Sequence, residues 1–297
     1  MNTPSLPVAA SSAQSSSAAG PQVFSPRDRI TVATPCYDYS LTEYYHTSLR
    51  SCLASPLAHF RQADGSTALD SVLAGRMTLP NDSHIDRARN VIANLWYQEN
   101  KTDWLLWIDA DIEFTPADIA RLFTHAQHGH KFLAGLYAMK CLLPTFVANV
   151  RPGSKPDPES GLIEVLHAGT GFLLIHRSVL TDLQKHPRIT AYDCPPNSPW
   201  AGTSHYNYFQ SGPYGTPSAT TGRKQWQSED WMLCELWREL GGQVLADTNI
   251  KLRHLGRLLF PPSVSELQGA FESLLRQSHP AIKIEPLRQA LAAYKPA

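Results

Sequence analysis

Residues Asp103 to Phe114 read Asp-Trp-Leu-Leu-Trp-Ile-Asp-Ala-Asp-Ile-Glu-Phe, and this stretch constrains the fold more than any other. An unbroken apolar run, Trp104–Ile108, has the length and composition of a buried strand. It ends in two aspartates, Asp109 and Asp111, followed by Phe-Thr-Pro and the start of a new helix. Carboxylates where a buried strand leaves a sheet are costly unless a cation meets them. In an open α/β sheet, ligands bind just outside the carboxyl ends of the strands. A divalent ion carrying a diphosphate would satisfy both side chains; a solvated turn is the competing account.

The rest of the chain reads as strands alternating with helices. Arg29–Thr34 is a β-rich run stopped by Pro35, and Leu41–Leu53 has the pattern of a helix. Leu57–Gln62 reads as a second strand, and Ser66–Asn81 as an insertion before a helix that Asp82-Ser83 caps. Ile85, Ala88, Val91, Ile92 and Leu95 then recur at helical spacing to about Gln98. Thr115-Pro116 opens another helix. Further strands are expected at Lys131–Tyr137, Thr145–Val150, Leu162–Leu166, Gly171–Ile175, Val244–Ala246 and Ile250–Arg253. Helices are expected at Ser178–Lys185, Glu229–Leu240, Ser263–Gln277 and Pro286–Tyr294. Such alternation predicts a mostly parallel sheet with helices on both faces. Residues 188–227, dense in Pro, Gly, Ser, Tyr and Trp, form a long irregular stretch with the character of a partly ordered lid.

Composition narrows the class. At 297 residues with 42% hydrophobic content, the chain can bury a sizeable core. Its 26 basic and 26 acidic residues balance, which argues against a strong non-specific nucleic-acid binder. Five scattered cysteines without Cys-x-x-Cys spacing fit a reduced, cytoplasmic protein with no structural zinc. No apolar run approaches the roughly 20 residues that cross a bilayer. Residues 1–26, rich in Ser, Ala, Gln and Pro, read as a flexible tail rather than a signal peptide.

Four segments carry a family resemblance: Thr34-Pro35-Cys36-Tyr37, Ile108-Asp109-Ala110-Asp111, His167-Ala168-Gly169-Thr170-Gly171-Phe172 and Ser228-Glu229-Asp230. His254, within Ile250-Lys251-Leu252-Arg253-His254-Leu255-Gly256, completes the set. In this order they resemble the GT-A class of nucleotide-sugar-dependent glycosyltransferases, in the family-two-like branch of bacteria and phages. The resemblance spans residues 29 to 260. It implies a Rossmann-like α/β three-layer sandwich over residues 27–260, with a mixed, mostly parallel sheet and a helical extension over 261–297.

Carried over residue by residue, the resemblance makes Asp111 and His254 ligands of Mn²⁺ or Mg²⁺, with a purely structural histidine as the alternative for His254. Asp109 joins that metal group, or touches ribose or bound water. Asp230 becomes the general base on the acceptor hydroxyl, with Glu229 orienting acceptor or loop; dipole stabilisation in a helix's first turn is the alternative for both. Gly169, Thr170 and Gly171 would line the sugar and acceptor pocket, unless they form a plain turn. Thr34, Pro35 and Tyr37 would cup the nucleotide, with Tyr37 stacking on its base. Asp64 takes the place of the carboxylate that reads a pyrimidine, and Arg89, in Ala88-Arg89-Asn90, that of a diphosphate contact or a surface ion pair.

The implied activity is transfer of a hexosyl or pentosyl group from a nucleoside-diphosphate sugar, UDP-sugar favoured, with inversion. The acceptor is a surface glycan or a hydroxymethylated pyrimidine in phage DNA. For DNA, Lys131, Lys140, Arg151, Lys155, Arg223, Lys224, Arg253 and Arg257 are the candidate phosphate contacts. A sugar-nucleotide-binding protein without transfer activity, or a hydrolase or nucleotidyltransferase on the same sheet, stays open. His125, His128 and His130 straddle a helix end and read as a decoy for zinc. Leu267, Ala270, Phe271, Leu274 and Leu275 read as a helix face docked on the core.

Overall fold

The structure is a computed structural model, and it describes residues 21–38, 40–140 and 145–256. The two expected C-terminal helices and the apolar stripe at 267–275 lie outside the described residues.

Eight strands build the central sheet: β1 (Ile30–Cys36), β2 (Leu73–Pro80), β3 (Trp104–Ile108), β4 (Phe132–Gly135), β5 (Ala148–Val150), β6 (Leu162–Ala168), β7 (Phe172–His176) and β8 (Leu245–Asp247). Their order across the sheet is β2-β1-β3-β7-β4-β8-β6-β5. Strand β1 pairs in parallel with β2 and β3, and β4 with β8, whereas β6 and β7 run against their neighbours. The sheet is therefore mixed, with one direction predominant.

Among the described residues five α-helices cover it: α1 (Glu43–Ala54), α2 (Ile85–Glu99), α3 (Pro116–Gln127), α4 (Arg177–Leu183) and α5 (Glu229–Glu239). Strand alternation explains the layering. Trp104, Leu106 and Ile108 of β3 pack in one cluster with Leu49 of α1 and Leu122 of α3. Leu105 and Trp107 point the other way, into a cluster with Trp96 of α2, Leu180 of α4 and Leu233 of α5. All five β3 side chains are buried, which is why that strand has no polar alternation. The result is the expected α/β three-layer sandwich.

Local signals set the helix ends. Thr42 caps α1 by accepting from Tyr45 N–H, and Thr115 and Asp118 close a reciprocal capping box at α3 with Pro116 in the first turn. The expected Asp82-Ser83 cap on α2 is displaced: its cap position is His84, which makes no side-chain bond. Among the described residues no helix is long and apolar enough to cross a membrane.

Three expectations need correction. Residues 66–81 are not a mere insertion, since Leu73–Pro80 is the edge strand β2. Leu57–Gln62 is not in the main sheet: Ala58–Arg61 pairs with Val23–Phe24 and Thr67–Asp70 in a separate three-stranded sheet. That pairing draws Val23 and Phe24 out of the expected tail, with Phe24 edge-on to Phe123 at 5.0 Å.

Residues 188–227 carry more regular structure than the partly ordered lid expected of them. They form two hairpins, Ala191–Asp193 with Ser204–Tyr206 and Gly212–Tyr214 with Gln225–Gln227. Tyr208 and Phe209 between them are buried in the core. Two asparagines one turn apart on α2 hold this segment as a strand neighbour would. Asn90 donates to Phe209 O at 2.7 Å and accepts from Phe209 N at 2.8 Å. Asn94 does the same with Tyr206, both at 2.8 Å. Paired buried amides of this kind leave no orphan polar group and fix the segment to the helix.

Candidate functional site

The turn after β3 is held from two sides. On one, the α1 cap residue Thr42 donates its backbone N–H and its hydroxyl to Ala110 O at 3.1 and 3.0 Å. On the other, Arg253–His254 pairs with Ile112–Glu113, and Leu255 N–H donates to Asp111 O at 2.9 Å. Asp109 N–H donates to Gly171 O at 3.1 Å, which ties the turn to the start of β7. A segment more than 140 residues away in sequence thus sets His254 beside Asp111.

Each aspartate meets its own cation. Asp111 Oδ1 lies 3.5 Å from His254 Nε2, and its Oδ2 accepts from Lys140 Nζ. Burial opposes its ionisation, but His254 and Lys140 outweigh burial and hold the carboxyl at about 2. The other nitrogen of His254, Nδ1, donates to Ala138 O at 2.8 Å, and its ring stands edge-on to Tyr137 at 5.2 Å. Asp109 instead faces Arg89, whose Nη2 donates to Oδ1 at 3.1 Å. Nη1 of the same buried guanidinium donates to Glu229. Burial raises the Glu229 carboxyl above the usual range, with Arg89 opposing it.

Two cavities flank this turn. One, of about 420 Å³, is lined by Cys36, Asp38, Ser40, Thr42, Lys140 and Leu255 among others; the second, of about 330 Å³, by Asp82, Ser83, Ile85, Arg89 and Asp109. Pro35, Tyr37, Ala110 and Asp111 form their common wall. The amino end of α1 borders the first cavity through Thr42, and that of α2 borders the second through Ile85, while α5 is linked to the second only through the bond from Glu229 to Arg89. Helix amino ends favour anions.

A larger cavity, about 600 Å³, is elsewhere, at the start of β4 and β8 on the opposite sheet edge. It is lined by Gly129, Lys185 and Gly241, just past the carboxyl ends of α3, α4 and α5. Lys131 and Lys185 also line it, but it lies at the amino ends of its strands, away from the edge where open α/β sheets bind ligands, so size does not decide the site.

Several expected site residues are placed otherwise. Thr34 is buried and bonded to Tyr45 Oη at 2.5 Å, turned from the cavities. Asp64 sits at the tip of the Ala58–Asp70 hairpin, where it accepts from Ser66 N at 2.9 Å and Oγ at 2.6 Å, and lines neither cavity. Besides Asp109 and Asp111, the carboxylate that lines the second cavity is Asp82, held by Arg87 at 2.8 Å. Gly169 and Gly171 admit a tyrosine rather than a ligand: a Cβ on either would fall 2.3 and 2.6 Å from Tyr137 Oη. Gly171 N–H donates to that hydroxyl at 3.0 Å. Thr170, between them, is buried, and its hydroxyl has no hydrogen-bond partner among the described residues.

Asp230 Oδ1 accepts from Ser228 Oγ and from Trp231 N–H at 2.8 Å, while Oδ2 makes no hydrogen bond among the described residues. Asp230 itself lines neither cavity. Sequence reasoning missed Tyr137 and the pairing of Lys140 with Asp111. The available signal was position: both follow β4 within five residues, at the same sheet edge as Asp109. His125 lies in a buried cluster, its Nε2 2.8 Å from the Asp247 carboxylate that Arg121 also holds. Of the basic residues weighed for DNA, four have a clear place, and Arg257 lies outside the described residues. Lys131 is at the opposite edge, while Arg151, Arg253 and Lys140 are paired with Glu164, Glu113 and Asp111.

The donor set at this turn is small for Mn²⁺ or Mg²⁺. Among the described residues no group of three or more His, Cys, Asp or Glu side chains gathers. The expected triad of Asp109, Asp111 and His254 is thus reduced to a pair, because Arg89 holds Asp109. A pair still fits these ions, which commonly take one or two protein ligands and complete their shell with water and substrate phosphate. Adjacent octahedral ligands sit about 3 Å apart, near the 3.5 Å between His254 and Asp111. The bond from Nδ1 to Ala138 is the outer contact that orients a ligating imidazole. Lys140 shows that the carboxylate accepts a cation.

No family model matches the sequence, and no curated protein matches it. Among solved structures, the chain is similar to A197 from STIV, at 16% identity and a TM-score of 0.43, over 77% of this chain and 86% of that one. It is also similar to GalNAc-T7, crystallised with UDP, GalNAc and Mn²⁺, at 12% identity and a TM-score of 0.46. That match takes in 88% of this chain but only 53% of the other, about half its length. Neither likeness carries any residue or chemistry across.

Proposed function

We propose that this protein is a metal-dependent glycosyltransferase that moves a sugar from a nucleoside-diphosphate sugar, UDP-sugar favoured, to an acceptor hydroxyl. The observation that carries the reading is the turn after β3. Two carboxylates there, each with its own cation, border two cavities that each meet a helix amino end at the carboxyl edge of an α/β sheet.

In this reading Asp111 and His254 hold Mn²⁺ or Mg²⁺, which when bound supplies Lewis-acid neutralisation of the departing diphosphate. Pro35 and Tyr37 contact the nucleotide, with the largely exposed Tyr37 ring as stacking face. Arg89 holds Asp109 and Glu229 in place rather than touching phosphate, and so fixes the first turn of α5. Asp230, next in that turn, takes the acceptor proton on Oδ2 and leaves the hydroxyl oxygen to attack the anomeric carbon with inversion. The acceptor is a surface glycan or a hydroxymethylated pyrimidine in DNA, and the pairing of Arg151, Arg253 and Lys140 with carboxylates weighs toward the glycan.

One observation favours a non-transferring nucleotide-sugar binder or hydrolase: Asp230 lines neither cavity. The test is a panel of nucleotide sugars with Mn²⁺ or Mg²⁺, followed by thermal shift and nucleoside diphosphate release. A donor at 100 times its Kd should stabilise by about 2.7 kcal/mol. Asp111→Ala should abolish that shift, while Asp230→Asn should keep it and lose transfer. Folded protein unmoved by every donor refutes the whole reading; an Asp230→Asn variant that transfers normally refutes the base.

A further inference from the structure

We propose that Lys140 is a resident counter-ion that keeps the Asp111–His254 pair closed to a free divalent ion until a diphosphate draws its ammonium away. The inference rests on the donor reading above. Both oxygens of Asp111 are engaged by the chain itself, Oδ1 facing His254 Nε2 at 3.5 Å and Oδ2 holding Lys140 Nζ. An ion arriving alone must displace an ammonium that already neutralises the carboxylate, and gains no new anion in return. A nucleoside diphosphate changes that balance, because its oxygens give Lys140 a second partner and the ion further ligands.

The surroundings of Lys140 suit such a move. Its side chain is 44% exposed, and it lines the 420 Å³ cavity together with Asp111, Thr42 and Tyr37. Its stem lies against Gly256, where an added Cβ would sit 3.6 Å from its Cβ and Cγ. A lysine ammonium is a compact charge on a flexible stem, able to swing between two anions without unburying its chain. The amino end of α1 at Thr42 borders the same cavity and favours an anion there. Ion and nucleotide should therefore bind with positive coupling, each tightening the other by the same factor.

The test is Mn²⁺ titration of the full chain, followed by electron paramagnetic resonance of free Mn²⁺, with and without UDP. For the wild type, UDP is expected to tighten Mn²⁺ binding by about tenfold or more. Lys140→Met should bind Mn²⁺ alone about tenfold more tightly than the wild type and lose most of the coupling, while Lys140→Arg should retain it. Thermal unfolding checks that both variants fold. Equal Mn²⁺ affinities in wild type and Lys140→Met, with UDP tightening both alike, overturn the proposal and leave the donor reading standing. Folded protein that binds neither Mn²⁺ nor UDP in any form overturns both.

Discussion

Arg89→Met tests the buried bridge between the aspartate turn and α5. The guanidinium is 5% exposed and links Glu229, 11% exposed, with Asp109, 31% exposed. Removing it strands one carboxylate in the interior and another at its margin. Breaking a buried pair from one side costs about 3 to 5 kcal/mol, because the remaining charge keeps its desolvation penalty. Most of that belongs to Glu229, since Asp109 can still reach water. For a domain of this size each kcal/mol is worth about 2 to 4 °C, so Tm should fall by about 6 to 20 °C. The decisive experiment is the double-mutant cycle with Glu229→Gln, measured by urea unfolding. Neutralising Glu229 removes the stranded charge, so the double variant should lose about 2 to 3 kcal/mol less than the summed singles. Additive losses within about 0.5 kcal/mol, or an Arg89→Met cost below about 1 kcal/mol, would refute the bridge.

Asn90→Ala strips both partners from the buried backbone of Phe209 and should cost about 2 to 3 kcal/mol. Amide exchange at Phe209 should quicken with it, whereas unchanged protection would show that the segment is held by packing alone. Gly171→Ala places a Cβ 2.6 Å from Tyr137 and 3.1 Å from Asp109 Oδ2. It should destabilise by about 1 to 3 kcal/mol in thermal melts, with Tyr137→Leu recovering part of the loss. Burial alone would raise the Asp247 carboxyl, but His125 and Arg121 outweigh it and hold the group below the usual carboxylate range. A depressed folded pKa gives stability that is present above about pH 4 and lost as pH falls through the folded value. Asp247→Asn should therefore cost about 3 kcal/mol near neutrality, with the gap to wild type narrowing below about pH 4; a constant gap would contradict the pairing.

The sequence by itself determined what depends on short-range pattern. Five apolar residues in a row made β3 a buried strand, because a strand packed on both faces has no place for polar alternation. Thr115-Pro116 and Asp118 fixed the start of α3 through a bond that spans one helical turn. From such elements the α/β layering and the location of Asp109 and Asp111 at a sheet edge followed. Tertiary structure decided the partners. Leu73–Pro80 became the edge strand β2 only through its register with β1, and Asp64 was carried off on a hairpin that its own sequence does not distinguish from a sheet strand. Lys140 and His254 reach the two oxygens of Asp111, and Arg89 reaches Asp109, from 29, 143 and 20 residues away. Such contacts leave no periodic trace in a sequence. They exist only once the sheet has brought its strand ends to one edge, where buried charge must find its counterpart.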